Sequence, residues 1–165
     1  MHPNLQRLNE LRGTARHTLM QRFLDVAIAL HPQERLPPRA ALNPLAVADL
    51  LPHLVLTRVE YATGKPRFKL TVIGEQTNSA LGLKLANRYM DEAQATDMPS
   101  LQYPIADRED VVREGLALYR YGPPRLEYRA NFATIELCHT PMADDGTTVS
   151  HILSLTVFEG LTAAR

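Results

Sequence analysis

The 165-residue sequence contains a single cysteine, Cys138. It therefore cannot form an intrachain disulfide or a zinc site built from several cysteines. Because disulfides belong to oxidising compartments, their absence favours the cytoplasm. No apolar run approaches the roughly 18 residues of a membrane-spanning helix, and the first residues lack the pattern of a secretory signal peptide. We therefore predict a cytoplasmic protein without a membrane span.

The chain also lacks an excess of charge of either sign. Eighteen lysines and arginines balance eighteen aspartates and glutamates, and a neutral chain has no overall field that would attract polyanions. The densest basic cluster consists of Arg120, Arg125 and Arg129, which a solvated strand edge and loop would explain. Nucleic acid is therefore not the expected partner.

Catalytic motifs are missing as well. The sequence contains no GxSxG, GxGxxG, P-loop or HExxH pattern, so it carries none of the common signatures of hydrolases, dinucleotide enzymes, NTPases or zinc proteases. Cys138 stands beside His139, but neighbours on a strand point to opposite faces. We predict that Cys138 is a buried structural thiol, that no residue is catalytic and that no metal site is present.

The N-terminal residues have a helical pattern. Residues 4–31 predict helix with an interruption at Gly13, after which Thr14 is the expected N-cap of a second helix. Apolar residues recur in that second helix at three- and four-residue intervals. This stripe either packs on its own domain or contacts a second copy of the chain, and both hold in a dimer. We take residues 1–35 as an N-terminal helical extension whose candidate dimer interface is Leu19, Phe23, Val26 and Leu30.

The remainder predicts an α+β domain over residues 36–160. Prolines punctuate residues 36–52, which predict a connector with one short helix at 44–51. Beyond it we predict strands at 54–61 and 68–73, a helical segment over 75–120 with its longest helix at 107–118, and strands at 125–132, 135–142 and 148–158. Hairpins make the sheet antiparallel, and the helical segment is expected to cover one face.

Four motifs, in this order along the chain, resemble a subfamily of bacterial PAS domains that often occur as free-standing small proteins. They are Leu36-Pro37-Pro38-Arg39 with Leu51-Pro52, the strand from Arg67 to Gly74, the group Gly82, Leu85 and Arg88, and the hairpin from Pro141 to Gly146. Thr71 stands where the subfamily usually has arginine, and Asn87 where it usually has glycine.

The resemblance implies a five-stranded antiparallel sheet with a helical insert over one face and an N-terminal helix used in dimerisation. It also implies a signalling role without catalysis, and it identifies no cofactor. The pocket of a PAS domain lies between the sheet and the insert. The candidate ligand-binding residues are therefore Leu70, Val72, Leu85, Tyr89, Tyr103, Leu116, Tyr128 and Phe132, which ordinary core packing would also explain.

His139 and His151 are two further candidate ligand-binding residues. A turn centred on Asp145 would place them nearly opposite each other, with Cβ atoms about 5 Å apart, so that both could contact one ion, ligand or proton. A register shift of one residue would separate them onto opposite faces, and they would then be ordinary core or interface histidines. Glu136 is predicted to face away from both.

The leading interpretation is a non-catalytic regulatory domain of the PAS type that binds a small ligand or a protein partner. We expect it to form a homodimer and to act in trans on an unidentified signalling protein, because 165 residues leave little room for an attached effector domain. One alternative is an adaptor with a fully packed core and no ligand. The other is a small enzyme that uses His139, His151 and Glu136.

Overall fold

Five strands form one antiparallel sheet in this computed structural model, which describes residues 1–129 and 131–161, with Leu161 described by its backbone alone. The strands are β1 (Leu54–Glu60), β2 (Arg67–Ile73), β3 (Leu118–Gly122), β4 (Phe132–Met142) and β5 (His151–Leu161). Their order across the sheet is β2-β1-β5-β4-β3. Two strands precede the helical insert and three follow it, which confirms the predicted α+β, PAS-like fold class.

Two helices precede the sheet, α1 (Pro3–Thr14) and α2 (Thr18–Leu30). The predicted break at Gly13 is wrong, because α1 continues through it. The predicted N-cap is wrong too: Thr14 ends α1, and its hydroxyl donates to the Glu10 carbonyl at 3.5 Å, a back-bond found for threonines inside helices. His17 caps α2 instead, since its Nδ1 accepts from the Leu19 N–H at 3.0 Å.

The helical insert between β2 and β3 contains α3 (Glu75–Leu81), α4 (Met90–Thr96) and α5 (Gln102–Glu114). The longest of these, α5, ends four residues earlier than predicted, because Gly115 takes a left-handed conformation (φ +64°) that terminates the helix. The chain then enters β3 at Leu118, so the strand predicted at 125–132 is wrong. The connector before β1 forms short 3₁₀ turns at Arg39–Ala41, Pro44–Val47 and Leu51–His53, and no helix spans 44–51.

Helices cover both faces of the sheet. On one face α1 and α2 bury Leu8, Phe23 and Leu24 against Leu54 and Leu155. On the other face the helical insert packs over β1, β2 and β5 in a second cluster. The ring of Phe23 is fully buried within its own chain, whereas Leu19 and Val26 are partly buried at the edge of the same cluster. The boundary proposed at residue 35 stays a prediction.

Both departures from the subfamily pattern have a structural role. Asn87 has a positive φ of 62°, the conformation that glycine adopts most readily. In that conformation its N–H donates to the Leu70 carbonyl at 2.6 Å, and the Leu70 N–H donates to Arg88 at 3.0 Å. Thr71 lies beside the irregularity in the β1–β2 pairing, where its hydroxyl donates to the Leu56 carbonyl at 3.0 Å.

No helix within residues 1–129 and 131–161 combines the length and the apolar character that crossing a bilayer requires.

Candidate functional site

A cavity of about 440 Å³ lies between the sheet and the helical insert. This volume falls within the range of roughly 300–1,000 Å³ that is usual for small-molecule sites. The floor comes from all five strands of the sheet, the roof comes from the insert, and residues 123–128 close one side. Tyr103, Pro123 and Arg125 are exposed residues of the lining, so the opening lies between α5 and the β3–β4 connection.

One end of the cavity is apolar. Leu70 and Ile73 of β2 face Leu85 and Met90 of the insert, and Leu81 of α3 adds a further side chain. Leu85 and Met90 are almost completely buried, at 1% and 2% exposure. None of these side chains donates a hydrogen bond, although Thr77, one helical turn before Leu81, adds a hydroxyl to the lining, so this end suits a mainly apolar group.

The other end contains a buried arginine on α5. Arg108 is 5% exposed and lines the cavity. Its Nε donates to the Thr57 hydroxyl at 3.1 Å, and its Nη1 donates to the Pro104 carbonyl at 3.2 Å. Burial lowers the pKa of Arg108 to about 10, so the guanidinium is charged at neutral pH. Among the described residues, no carboxylate lies within 4.0 Å of it.

The nearest acid in sequence, Asp107, is already paired. Its carboxylate is 3% exposed and accepts from Arg120 at 2.7 and 3.0 Å and from Arg125 at 2.7 Å. The hydrogen bonds that Arg120 donates to Asp107 raise the pKa of Arg120. Two members of the predicted basic cluster are therefore held around a buried carboxylate at the polar end, and Arg129 does not line the cavity.

His139 of β4 lies on the same floor. Its Nδ1 is 2.6 Å from the hydroxyl of Ser154, its partner on β5. Its Nε2 is buried and has no hydrogen-bond partner among the described residues, and the same holds for the hydroxyl of Thr77. Burial, and after it the charges of Arg108, Arg120 and Arg125, hold the pKa of His139 well below its usual range. The imidazole is therefore neutral at pH 7.

The predicted histidine pair is wrong. His139 pairs with Ser154, and His151 pairs with Met142, so the register differs by three residues from the one expected. The reason is the β4–β5 connection, which is a loop over residues 143–150 rather than a tight turn. The side chain of Asp145 accepts from the N–H groups of residues 147 and 148 and holds that loop.

The constellation proposed for an enzyme is not assembled. His139 faces the cavity, whereas His151 begins β5, and its Nδ1 lies 3.9 Å from the carboxylate of Asp144. Glu136 faces away from His139, as expected, since the two residues are an odd number of positions apart on β4. The same expectation is wrong for His151, because His151 pairs with Met142, which lies an even number of positions from Glu136 and therefore on the same face. The carboxylate of Glu136 accepts from the N–H groups of Arg16 and His17 at the start of α2.

The structure brings together five of the ten candidate ligand-binding residues. Leu70, Leu85, Tyr103, Tyr128 and His139 line the cavity. The other five lie elsewhere. Val72 is exposed on the edge strand, Tyr89 packs against Arg67, and Leu116 follows the end of α5. Phe132 packs on Phe158, and His151 is the first residue of β5.

Sequence reasoning missed the charged members of the site, above all Arg108. A signal was present, because Leu101, Pro104, Arg108 and Val111 recur at three- and four-residue spacing. This is the pattern of one buried helix face. A charged residue on such a face is a candidate functional group.

No group of three His, Cys, Asp or Glu side chains that could hold a metal ion occurs in the part of the chain that the structure describes. Cys138 is fully buried on the face covered by α1 and α2, and burial raises the pKa of its thiol to about 12. A thiol with such a pKa is protonated at neutral pH and is a poor nucleophile.

No protein-family model matches the chain, and no curated protein is detectably similar to it. Among solved structures it is similar to a sensory box sensor histidine kinase from Vibrio cholerae, with 14% identity and a TM-score of 0.46 over 71% of this chain and 92% of that one. It is also similar to an RNA-binding light-oxygen-voltage receptor, with 15% identity and a TM-score of 0.41 over 93% of this chain. The chain covers 48% of that receptor. The strand order and the position of the helical insert make the architecture of this chain PAS-like.

Proposed function

We propose that the protein is a non-catalytic sensory domain of the cytoplasm that binds a small molecule beneath its helical insert and regulates a signalling protein in trans, as a homodimer. The observation that carries the proposal is the cavity of about 440 Å³ with one apolar and one polar end. Protein interiors are close-packed and contain few voids larger than a water molecule. A cavity of this size therefore favours a ligand over the alternative of an adaptor with a packed core.

The positions of the reactive side chains support a non-catalytic role. The Cys138 thiol and the His139 imidazole occupy opposite faces of β4, so they cannot form a nucleophile–base pair. Glu136 lies with Cys138 on the face opposite the cavity. A ligand in the cavity would contact His139 without contacting either of these two groups.

Strand β4 offers a physical route from the ligand to the N-terminal helices. Its residues alternate between the two faces, so His139 contacts the cavity while Glu136 accepts from the start of α2. A ligand that displaces β4 or changes its twist would move the carboxylate that holds α2. Ligand occupancy would thereby change the position of α2, which is the surface proposed for dimerisation.

The proposed dimer uses the partly exposed apolar residues of α2. Phe23 is fully buried in the core of its own chain, so only Leu19, Val26 and Leu30 of the candidate interface residues are partly exposed and able to contact a second copy. Leu30→Asp should convert a dimer into a folded monomer in light scattering, because it places a charge in an apolar contact. Ala29→Asp, at an exposed neighbouring position, is the matched control. A dimeric Leu30→Asp protein would count against this interface.

Native mass spectrometry of the purified protein tests the ligand proposal. We expect each subunit to carry a small molecule that is absent from the denatured spectrum. Leu81→Trp, which adds bulk to the lining, should lose the adduct, whereas Leu83→Trp at a half-buried position outside the lining should keep it. A bare mass, together with no thermal stabilisation by any compound of a metabolite panel, would support the adaptor instead.

A further inference from the structure

We propose that the ligand is a monocarboxylate with an apolar body, bound through its carboxylate to the guanidinium of Arg108. The inference rests on the proposed function, because it requires the cavity to be a small-molecule site. It starts from an imbalance of charge in the chain itself. A buried arginine lines the cavity, and no carboxylate of the described residues lies within 4.0 Å of it.

An isolated charge is expensive to bury unless it is paired. Arg108 has only neutral partners, the Thr57 hydroxyl and the Pro104 carbonyl. Its Nη2 donates to no residue within 1–129 and 131–161. The charge of Asp107 raises the pKa of Arg108 from a distance, but its carboxylate does not pair with Arg108 directly, since it accepts from two other arginines. A guanidinium presents a planar fork that matches a carboxylate, so a bound carboxylate would complete this pairing.

A second observation comes from the other side of the polar end. The buried Nε2 of His139 has no partner among the described residues, and it belongs to a side chain that lines the cavity. If the Ser154 hydroxyl donates to Nδ1, the neutral ring carries its proton on Nε2 and becomes a donor. One carboxylate oxygen could then accept from His139 while the other accepts from Arg108. The hydroxyl of Thr77 is a further buried donor in the lining.

The charged side chains of the lining indicate how many carboxylates the ligand carries. Arg120 and Arg125 share the carboxylate of Asp107, so Arg108 is the one buried cation of the lining without an acidic partner among the described residues. The end formed by Leu70, Leu85 and Met90 offers no cation for a second carboxylate. A single carboxylate followed by an apolar body fits both ends of the cavity.

The test compares carboxylates with their neutral amides. Hexanoate, octanoate, benzoate and phenylacetate are titrated beside the four corresponding amides in thermal shift and calorimetry. At a hundredfold excess over Kd, a binding carboxylate should raise Tm by roughly 5–10 °C. The matching amide should bind at least about tenfold more weakly, because it cannot form charge-assisted bonds to a guanidinium.

Variants of Arg108 separate binding from structure. Arg108→Met should weaken carboxylate binding at least about tenfold, yet leave the Tm of the free protein unchanged or higher, because it removes an uncompensated buried charge. A purely structural arginine would instead lower that Tm. Arg113→Met, at an exposed position of the same helix, should behave like wild type. Arg108→Lys keeps the charge and should retain a preference for carboxylate over amide.

Each remaining outcome counts against the inference in a different way. Equal affinity for carboxylate and amide, or undiminished carboxylate binding by Arg108→Met, would overturn the role of Arg108. A neutral compound retained in native mass spectrometry would also overturn it, while supporting the cavity as a small-molecule site. Failure of all four carboxylates together with a bare native mass would overturn both the inference and the proposed function.

Discussion

Glu136 is expected to hold the N-terminal helices on the sheet, and Glu136→Gln tests this role. The carboxylate is fully buried. Its Oε2 accepts from the Arg16 N–H at 2.7 Å and from the Tyr119 hydroxyl at 2.6 Å, and its Oε1 accepts from the His17 N–H at 2.8 Å. Burial, and after it the hydrogen bond to Glu136, raise the pKa of Tyr119. Glutamine has nearly the same shape and can keep only part of this arrangement.

The expected loss follows from counting bonds. If the glutamine oxygen takes the place of Oε2, it keeps two donors, and its NH₂ group then faces the His17 N–H. One bond to a charged acceptor is lost, worth about 1.5–3 kcal/mol. The His17 N–H is also left without an acceptor, although the loop before α2 can move so that this N–H donates to water. We expect the free energy of unfolding to fall by roughly 2–4 kcal/mol, a large share of the 5–15 kcal/mol typical of a domain.

Urea denaturation followed by circular dichroism measures this change, and Tm should fall by roughly 4–16 °C. Tyr119→Phe removes another bond to the same group, and that bond is weaker when glutamine is the acceptor, so the double variant should lose less than the sum of the two single losses. Hydrogen exchange should show faster opening at the amides of residues 16 and 17. A loss below about 0.5 kcal/mol, or unchanged exchange at residues 16 and 17, would refute the view that Glu136 anchors α2.

Three further expectations concern the backbone and pH. Gly74→Ala should cost about 2 kcal/mol or more in urea denaturation, because its Cβ would lie 2.3 Å from the carbonyl oxygens of residues 51 and 52, whereas Gly13→Ala meets nothing within 4 Å and should be neutral or stabilising. At the left-handed Asn87, Asn87→Ala should lose about 1 kcal/mol and Asn87→Gly should not, and equal losses would contradict the argument. Burial lowers the pKa of His139 in the folded chain, so the unfolded chain binds this proton first as pH falls. Unfolding free energy should therefore decrease from about pH 6.5 downward, by at most about 1.4 kcal/mol per pH unit for this group, and the slope should be smaller in His139→Gln. An unchanged slope would mean that other groups, such as His31, His53 and His151, whose pKa values are also lowered, account for it.

The strands of the first hairpin were predicted to within one residue of their ends. Residues 54–61 and 68–73 are rich in β-branched and apolar side chains and are bounded by proline and glycine, which are local signals. The error at the end of α5 has a local origin too. Apolar spacing continues past Gly115 to Tyr119, and it outweighed the glycine that ends the helix. Because the helix was predicted to continue to residue 118, the third strand was predicted at 125–132 instead of 118–122.

The predicted residues that line the cavity, Leu70, Leu85, Tyr103, Tyr128 and His139, are all uncharged, and none of its charged residues was predicted as part of the site. Leu70 and Leu85 follow from the expectation that the insert covers the sheet. The unpaired charge of Arg108 does not follow, because it depends on which partners Asp107 takes, and those partners are 13 and 18 residues away in sequence. The placement of His139 beside Ser154 likewise depends on the length and conformation of the loop at 143–150.

Local patterns in the amino acids indicated most of the helices and strands and their order along the chain, because helix and strand periodicity and turn chemistry act over a few residues. The PAS-like arrangement was expected from the resemblance of four short motifs to that family. Register, the cavity and the uncompensated guanidinium emerged only when distant segments were brought together. Hydrogen-bond pairing and burial are set by distances between residues far apart in sequence, and no short stretch of sequence contains that information.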